Sequence, residues 1–316
     1  MKLIKSSVVN ITPNRFFEED ILKHIELCGR TCYKSEDKIT DTSAEKFVNM
    51  LKKNKHRSVL EHGTVYLYTR ETSYNFMGVW RSDLFDKYDK NPYSVAYMDG
   101  PEVYITTNYR VIIENGWESD LDFIDDEFGM FHVPRYTFRI TCSRAIANEI
   151  VRHRQMSFSQ ESSRYCDYSN KNKFGKSLTY IIPSKFQNDI QECDASNFNN
   201  NEYYYKGEEY KIYNEDVKGI LRYLVSLYES EQSYFALRDE GWKPEEARGV
   251  LPLDLKTDLI VTGTVDQWKE FFELRCAKSA HPDVQVIANK IKKYILLRKD
   301  NKRTRTARKF TCFFIF

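Results

Sequence analysis

Apolar positions recur at helical spacing at Ile21, Ile25, Cys28 and Cys32, which predicts an amphipathic helix over 18–33. Thr42-Ser43-Ala44-Glu45 offers a capping box ahead of a second stripe, Phe47, Val48 and Leu51. Thr64 to Thr69 alternates aromatic and β-branched residues and reads as a strand. A polar, tyrosine-rich stretch follows, with a turn at Asp99-Gly100-Pro101 and strand candidates at Val103–Ile113 and Tyr136–Thr141. Ser143 is placed to cap a helix whose face holds Ala145, Ile146, Glu149, Ile150 and His153, two of them polar. Asn197–Asn201 is a low-complexity polar loop. Beyond it, Val217, Ile220, Leu221, Leu224 and Tyr228 mark a long helix ending near Gly241, and Pro244 restarts a short one. Thr264 with Gln267 forms a capping box for a helix carrying Trp268, Phe271, Phe272 and Arg275; Pro282 breaks the chain before a last helix with Val284, Ile287, Ala288, Ile291, Tyr294 and Ile295 in register. Without repeats or βαβ alternation, these elements predict an α+β fold, a mostly antiparallel sheet flanked by helices. One domain over 1–297 is expected, with a long insertion around 71–134 and a basic, aromatic tail over 298–316.

Composition narrows the classes. Across 316 residues, 48 Lys and Arg nearly balance 46 Asp and Glu, which excludes a polybasic coat as the dominant theme. The 22 Tyr, 20 Phe and 4 Trp supply a sizeable core. The longest apolar run, Phe310 to Phe316, is far short of the ~20 residues of a membrane helix. No signal-peptide apolar region precedes Asn10 and Pro13, so a cytoplasmic protein without a membrane role is expected. Seven cysteines without a CxxC pair, and six histidines without HExxH, predict neither a disulfide framework nor a metal. Charge concentrates in the tail, where Arg298 to Lys309 carries +6 and the remainder of the chain −4.

Candidate chemistry gathers in Arg152-His153-Arg154-Gln155-Met156-Ser157-Phe158-Ser159-Gln160-Glu161-Ser162-Ser163-Arg164-Tyr165. Cations at a helix C-terminus are favoured by the macrodipole. Arg152 and Arg154 would point about 200° apart on a helix, towards two partners, unless the helix ends between them. If extended, Ser162 and Arg164 face one way, a hydroxyl and a guanidinium fork suited to phosphate. Arg275 shares a face with Trp268, Phe271 and Phe272, costly for a cation unless it is paired or meets a ligand.

This pattern resembles the signature of the flavin-dependent thymidylate synthases: Arg-His-Arg, then a serine and an arginine eight and ten residues after the second arginine. Three further segments are similar in the family's order. They are His56-Arg57-Ser58-Val59-Leu60-Glu61-His62, Glu245 to Leu253 with its Ala247-Arg248, and Phe271-Phe272-Glu273-Leu274-Arg275 followed by Ala280-His281 and Gln285. Four matches in order, spanning roughly 20 to 295, make a specific signal.

The resemblance implies reductive methylation of dUMP to dTMP with methylenetetrahydrofolate as carbon donor. FAD carries hydride supplied by NADPH, and no covalent enzyme nucleophile takes part. It implies that Arg275 is catalytic, set against the uracil ring, and that Ser162, Ser163, Arg164 and Arg248 hold the nucleotide, with Glu149 and Arg152 beside them. Gln160 or Glu161 also contacts ligand, the choice between them left open. His62, Arg152, His153, Arg154, Gln160, Thr264, Glu270 and His281 fall at cofactor-binding positions. The chain departs from the family in having Glu149 where glutamine is frequent, and Thr264 and Glu270 where asparagines stand. A homotetramer sharing FAD sites between subunits is implied, with no stable nucleic-acid partner. Two other readings remain: a related flavin enzyme acting on a modified pyrimidine, and a nucleic-acid binder using Arg152, Arg154, Arg164 and the tail, against which the near-neutral charge counts.

Overall fold

A four-stranded antiparallel sheet of order β2–β6–β12–β7 organises the molecule. Its strands are β2 (Ser7–Asn10), β6 (Arg135–Ser143), β7 (Ser157–Gln160) and β12 (Lys256–Thr264). The computed structural model describes residues 1–71, 82–126, 129, 131–188, 193–194, 203–205, 208–210 and 218–311, with the backbone alone for 193–194, 203–205, 208–210, 218, 221 and 298–311. β12 pairs with β6 along its whole length, Lys256 to Ser143 through Thr264 to Arg135, and its other edge takes β7 from Leu259–Gln160 to Thr262–Ser157. Neither β7 nor β12 was anticipated from the sequence pattern. Leu259-Ile260-Val261 is a continuous apolar run because both faces of β12 are covered, which erases the period-two signal.

The two faces of this sheet differ in chemistry. One carries Phe138, Ile140, Leu259 and Val261 and packs under α5 (Arg144–Ile150), α9 (Val265–Arg275) and α10 (Pro282–Thr311) in a core that includes Trp268, Phe271 and Ile291. The other carries Thr137, Arg139 and Thr141 from β6 opposite Thr262, Ile260 and Asp258 from β12, and is covered by α1 (Glu18–Thr31). Buried polar groups must be hydrogen-bonded, and a continuous string meets that demand. Ser159 Oγ and Thr262 Oγ1 bond the two ring nitrogens of His62 at 3.0 and 2.8 Å. Thr262 meets Thr137 at 2.8 Å, Thr137 meets His24 at 3.3 Å, and His24 meets the Cys28 thiol at 3.6 Å. Burial, then Arg135, holds His24 down to about 4; burial, then His24 and Arg135, holds His62 to about 3, so both rings are neutral.

A second antiparallel sheet, β3–β5–β4, comprises β3 (Thr64–Arg70), β4 (Val95–Asp99) and β5 (Glu102–Asn108). It shares a core with α1, α2 (Ser43–Lys53), α3 (Asp83–Asp89) and α4 (Tyr109–Asn115), through Ile21, Ile25, Leu51, Leu67, Tyr88 and Ile112. The stretch 71–134 thus supplies two strands and two helices of this layer. The expected strand over 103–113 stops at Asn108, whose side chain accepts from Val111 N–H at 3.2 Å and caps α4. The capping box at Thr42 is not formed: Thr42 makes no capping bond, and Ser43 Oγ instead accepts from Thr40 N–H and donates to Glu26. The helix expected over 18–33 closes two residues early, at Thr31. Gly29 of α1 lies against α2, and a Cβ there would stand 2.7 Å from Phe47 Cε1 and 3.0 Å from Val59 Cγ1. Gly29→Ala gains about 1 kcal/mol of helix propensity but overpacks a rigid ring by about 2–3 kcal/mol. Thermal melts are expected to show Tm lower by about 3 °C.

A third core joins β1 (Lys2–Ile4), β8 (Thr179–Ile181), α7 (Lys218–Asp239) and α8 (Pro244–Ala247) through Leu3, Tyr180, Leu227, Tyr234 and Ala247. β1 runs parallel to β8 and antiparallel to β9 (Cys193–Asp194); β10 (Tyr203–Tyr205) and β11 (Glu208–Tyr210) form a hairpin, and α6 is Lys171–Phe174. The loop expected at 197–201, Val217 and residues 312–316 lie outside the described residues, as do the side chains of Leu221 and the tail over 298–311. Among the described residues no helix is long and apolar enough to cross a membrane.

Candidate active site

The Arg-His-Arg segment leaves the sheet at one end of β7 and the serine–arginine segment at the other. Ser143 Oγ caps α5 by accepting from Ile146 N–H at 3.3 Å, as expected, and α5 closes at Ile150. Arg152, His153 and Arg154 therefore sit in the turn beyond it rather than on the helix. Arg152 and Arg154 are exposed, with no ion pair among the described residues, and His153 is half-buried.

Arg275, the last residue of α9, reaches back across this turn. Its Nη1 donates to Glu149 Oε2 at 3.0 Å, its Nη2 to the Glu149 carbonyl at 2.8 Å, and its Nε to His153 Nε2 at 3.0 Å. The pairing answers the sequence puzzle of a cation beside three buried aromatics, since the guanidinium lies at the rim with its side chain 19 % exposed. Burial and the Arg275 charge lower the His153 pKa, so the ring is a neutral acceptor at Nε2 and keeps its proton on Nδ1. Its edge packs on Phe271, with centroids 4.9 Å apart. The Thr264–Gln267 capping box is formed, and Gln267 Nε2 donates to Gln155 O at 2.8 Å, tying the turn to the start of α9. The Thr264 hydroxyl is engaged in that box, whereas Glu270 is exposed on α9. His281 is exposed at the start of α10, where its Nδ1 accepts from Asp283 N–H at 3.2 Å.

At the other end of β7 the chain does not stay extended. Residues 163–165 turn, Arg164 N–H donates to Ser162 Oγ at 3.4 Å, and the Arg164 guanidinium lies 4.4 Å from the Tyr165 ring centroid. The shared-side argument for Ser162 and Arg164 thus fails, and a serine turn joins the two instead. Ser163 is buried. Arg238 of α7 grips Asp167 with two bonds, Nε to Oδ1 at 3.1 Å and Nη2 to Oδ2 at 2.8 Å, anchoring this turn to the third core. Ala247 is buried in the same core as Cys166 and Tyr168, and Arg248 follows it, exposed at the end of α8.

Gln160 and Glu161 separate clearly. Gln160 is half-buried, its Nε2 donating to Thr257 Oγ1 at 3.3 Å. Glu161 is 2 % exposed and enclosed in a charge network with Lys256 (2.8 Å), Lys34 (3.5 Å) and the Tyr168 hydroxyl (3.1 Å); Asp258 pairs with the same two lysines. Burial opposes the Asp258 charge, but Lys256 and Lys34 outweigh it and hold its carboxyl below the usual range. Burial likewise opposes the Lys256 charge, and Glu161 and Asp258 outweigh it to hold its pKa up. His62 is fully enclosed with both ring nitrogens bonded, so it presents neither of them at a surface and braces Ser159 against Thr262. Lys34, Lys256 and Asp258 were not singled out in the sequence, although Lys256 and Asp258 two apart on one strand face were a legible sign.

A cavity of about 530 Å³ between α1 and α2 is walled by Glu18, Lys23, Asp41 and Lys52 without any arginine; one of about 300 Å³ opens beside Glu161, Tyr168 and Lys256. No cluster of His, Cys, Asp and Glu suited to a metal occurs among the described residues.

Residues 123–297 match the family model described as thymidylate synthase complementing protein. A flavin-dependent thymidylate synthase of Pyrococcus furiosus is 29% identical over 166 residues, 52% of this chain and 56% of that protein. One of Pyrococcus abyssi is 27% identical over 227 residues, 65% of this chain and 79% of that protein. The chain thus spans little more than half the length of the first of these relatives. The crystal structure of a UMP/dUMP methylase PolB from Streptomyces cacaoi bound with 5-Br dUMP covers 93% of this chain and 92% of its own, at 16% identity and a TM-score of 0.41, too loose a superposition to bear on the site. The family model spans more than half of the chain and takes in every motif quoted from Arg152 onwards, so the chain belongs to the thymidylate synthase complementing protein family, that of the flavin-dependent thymidylate synthases.

Proposed function

We propose that the protein is a flavin-dependent thymidylate synthase that methylates dUMP to dTMP in the cytoplasm. The observation that carries this reading is the state of the motif arginines. Arg152, Arg154, Arg164 and Arg248 are all exposed, and none has a carboxylate partner among the described residues. Arg275 is held by Glu149 and His153. Guanidinium forks without a carboxylate partner, Arg164 meeting only the Tyr165 hydroxyl and ring, suit the oxygens of phosphate and diphosphate.

In this assignment Ser162 and Arg164, with Arg248, hold the nucleotide phosphate. Arg152 and Arg154 face the cofactor diphosphate, and their two exposed cations fit the charge of FAD. When bound, FAD carries the hydride delivered by NADPH, and methylenetetrahydrofolate gives the carbon. Arg275 is preorganised by three bonds and offers positive charge to the pyrimidine carbonyl as negative charge develops there. His153, neutral, orients that guanidinium, and Glu149 fixes its far side. Among the described cysteines burial raises every thiol, Cys142 and Cys166 up to about 12, Cys28 higher still, and the half-buried Cys32 and Cys276 as well, which makes them poor nucleophiles.

The two arginine groups lie at opposite ends of β7, whose four residues advance about 13 Å. One chain therefore presents the phosphate clamp and the Arg275 cluster well apart. This supports the homotetramer, in which neighbouring chains complete each site.

The test is direct. The purified protein is expected to be yellow, absorbing near ~450 nm as bound flavins do. Isothermal titration with dUMP should show Arg164→Ala weakening binding at least about tenfold, the loss of one charge-assisted contact. A colourless protein that takes up no FAD, or an unchanged dUMP affinity, refutes the assignment.

A further inference from the structure

Three consecutive residues just past α1, outside all four motif segments, hold the serine–arginine turn or the residue that enters it. The Cys32 carbonyl accepts from Ser162 N–H at 3.0 Å. The Tyr33 ring lies 5.1 Å from the Tyr165 ring. The Lys34 ammonium reaches Glu161 Oε2 at 3.5 Å and bonds Asp258 Oδ2. Glu161 N–H in turn donates to the Asp258 carbonyl at 2.8 Å, so Lys34 clips both sides of the junction where β7 leaves β12.

Lys34 has φ of 49°, in the left-handed region, just past a helix C-terminus. Glycine normally takes such a position because a Cβ is penalised there. Lys55 and Lys176 take the same region at 57° and 50°; what sets Lys34 apart is its ammonium, placed against two buried carboxylates. Tyr33 is further secured by Lys173, whose Nζ donates to its carbonyl at 2.8 Å.

We infer that Lys34 is a positioning residue for substrate binding: with Cys32 and Tyr33 it fixes the turn that presents Ser162 and Arg164 to the nucleotide phosphate. It touches no ligand itself and acts through Glu161 and Asp258. The inference rests on the placement of dUMP phosphate at Ser162 and Arg164 proposed above.

Three holoenzyme variants test it by steady-state kinetics and dUMP titration: Lys34→Met, Lys34→Arg and Arg164→Ala. Lys34→Met is expected to raise KM and Kd for dUMP about tenfold while kcat stays within twofold and flavin content is unchanged. Lys34→Arg, which restores a cation of similar reach, is expected to return both within threefold of the parent. Arg164→Ala reports on the phosphate assignment itself. If Arg164→Ala weakens dUMP binding and Lys34→Met does not, the inference is overturned while the site stands. If Lys34→Met lowers kcat, flavin content and melting temperature together without a selective KM effect, the role is merely structural and the inference is again overturned. If Arg164→Ala leaves dUMP affinity intact, the phosphate assignment fails and takes the inference with it.

Discussion

Arg275→Ala should lower the rate of tritium release from [5-³H]dUMP by at least about 10²–10³-fold, the loss usual when one preorganised donor to a developing oxyanion is removed. The size of the effect follows from geometry. Arg275 is held by three hydrogen bonds to Glu149 and His153, so its charge is aimed before substrate arrives. Flavin should still bind, because the turn carrying Arg152 and Arg154 loses its Arg275–His153 bond but keeps its tie from Gln267 to Gln155. Glu149→Gln keeps the carbonyl bond and the His153 bond while removing the carboxylate, and is expected to lose less than Arg275→Ala. Residual activity of Arg275→Ala within tenfold of the parent would remove the arginine from the chemistry.

Lys256→Met should produce the largest loss of stability. Its ammonium lies between Glu161 at 2.8 Å and Asp258 at 2.7 Å, both almost wholly buried. Removing it leaves Lys34 alone to neutralise two enclosed carboxylates. Breaking a buried pair by deleting one partner costs about 3–5 kcal/mol, which corresponds to a fall in Tm of about 10 °C for a chain of this size. The pH dependence carries a sign. Asp258 is depressed from its ordinary 3.8, so its contribution is present above that value and is lost as pH falls towards its folded pKa. Lys256 is raised from 10.5, so its share is present below that value and is lost only as pH rises through its folded pKa. Melts of the parent between pH 5 and 9 should therefore be flat with respect to this network, steepening in acid. An unshifted Tm in Lys256→Met would show that the network adds nothing.

Much of the α-helical framework was legible, because Ser143 and Thr264 are true caps and the stripes of Trp268, Phe271 and Phe272 or Ile21 and Ile25 face cores. The motif segments were legible as well, because they rest on residue identity rather than on packing. In the sheet at the heart of the site β6 was legible at Tyr136–Thr141, but β7 and β12 were not. β7 is four residues of Ser-Phe-Ser-Gln with two serines turned towards a polar layer, and β12 is buried on both faces, with Leu259-Ile260-Val261 unbroken at its centre. Neither gives the alternation by which a half-solvated strand is recognised. Position 34 was equally silent, since a lysine near a helix end reads as ordinary surface until the fold brings Asp258, 224 residues away, against it.

The string from Ser159 through His62, Thr262 and Thr137 ends at His24 Nε2, and its hydroxyls and the His62 ring each donate and accept. Such a string has two complete orderings of its hydrogens, one the reverse of the other, with every heavy atom in the same place. A demand on the Ser159 hydroxyl at the strand joining the two arginine clusters is thereby felt at α1, on the other side of the sheet's polar layer, as a switch of the His24 tautomer. Ring-nitrogen chemical shifts of His24 would register it where a comparison of atomic positions would register nothing.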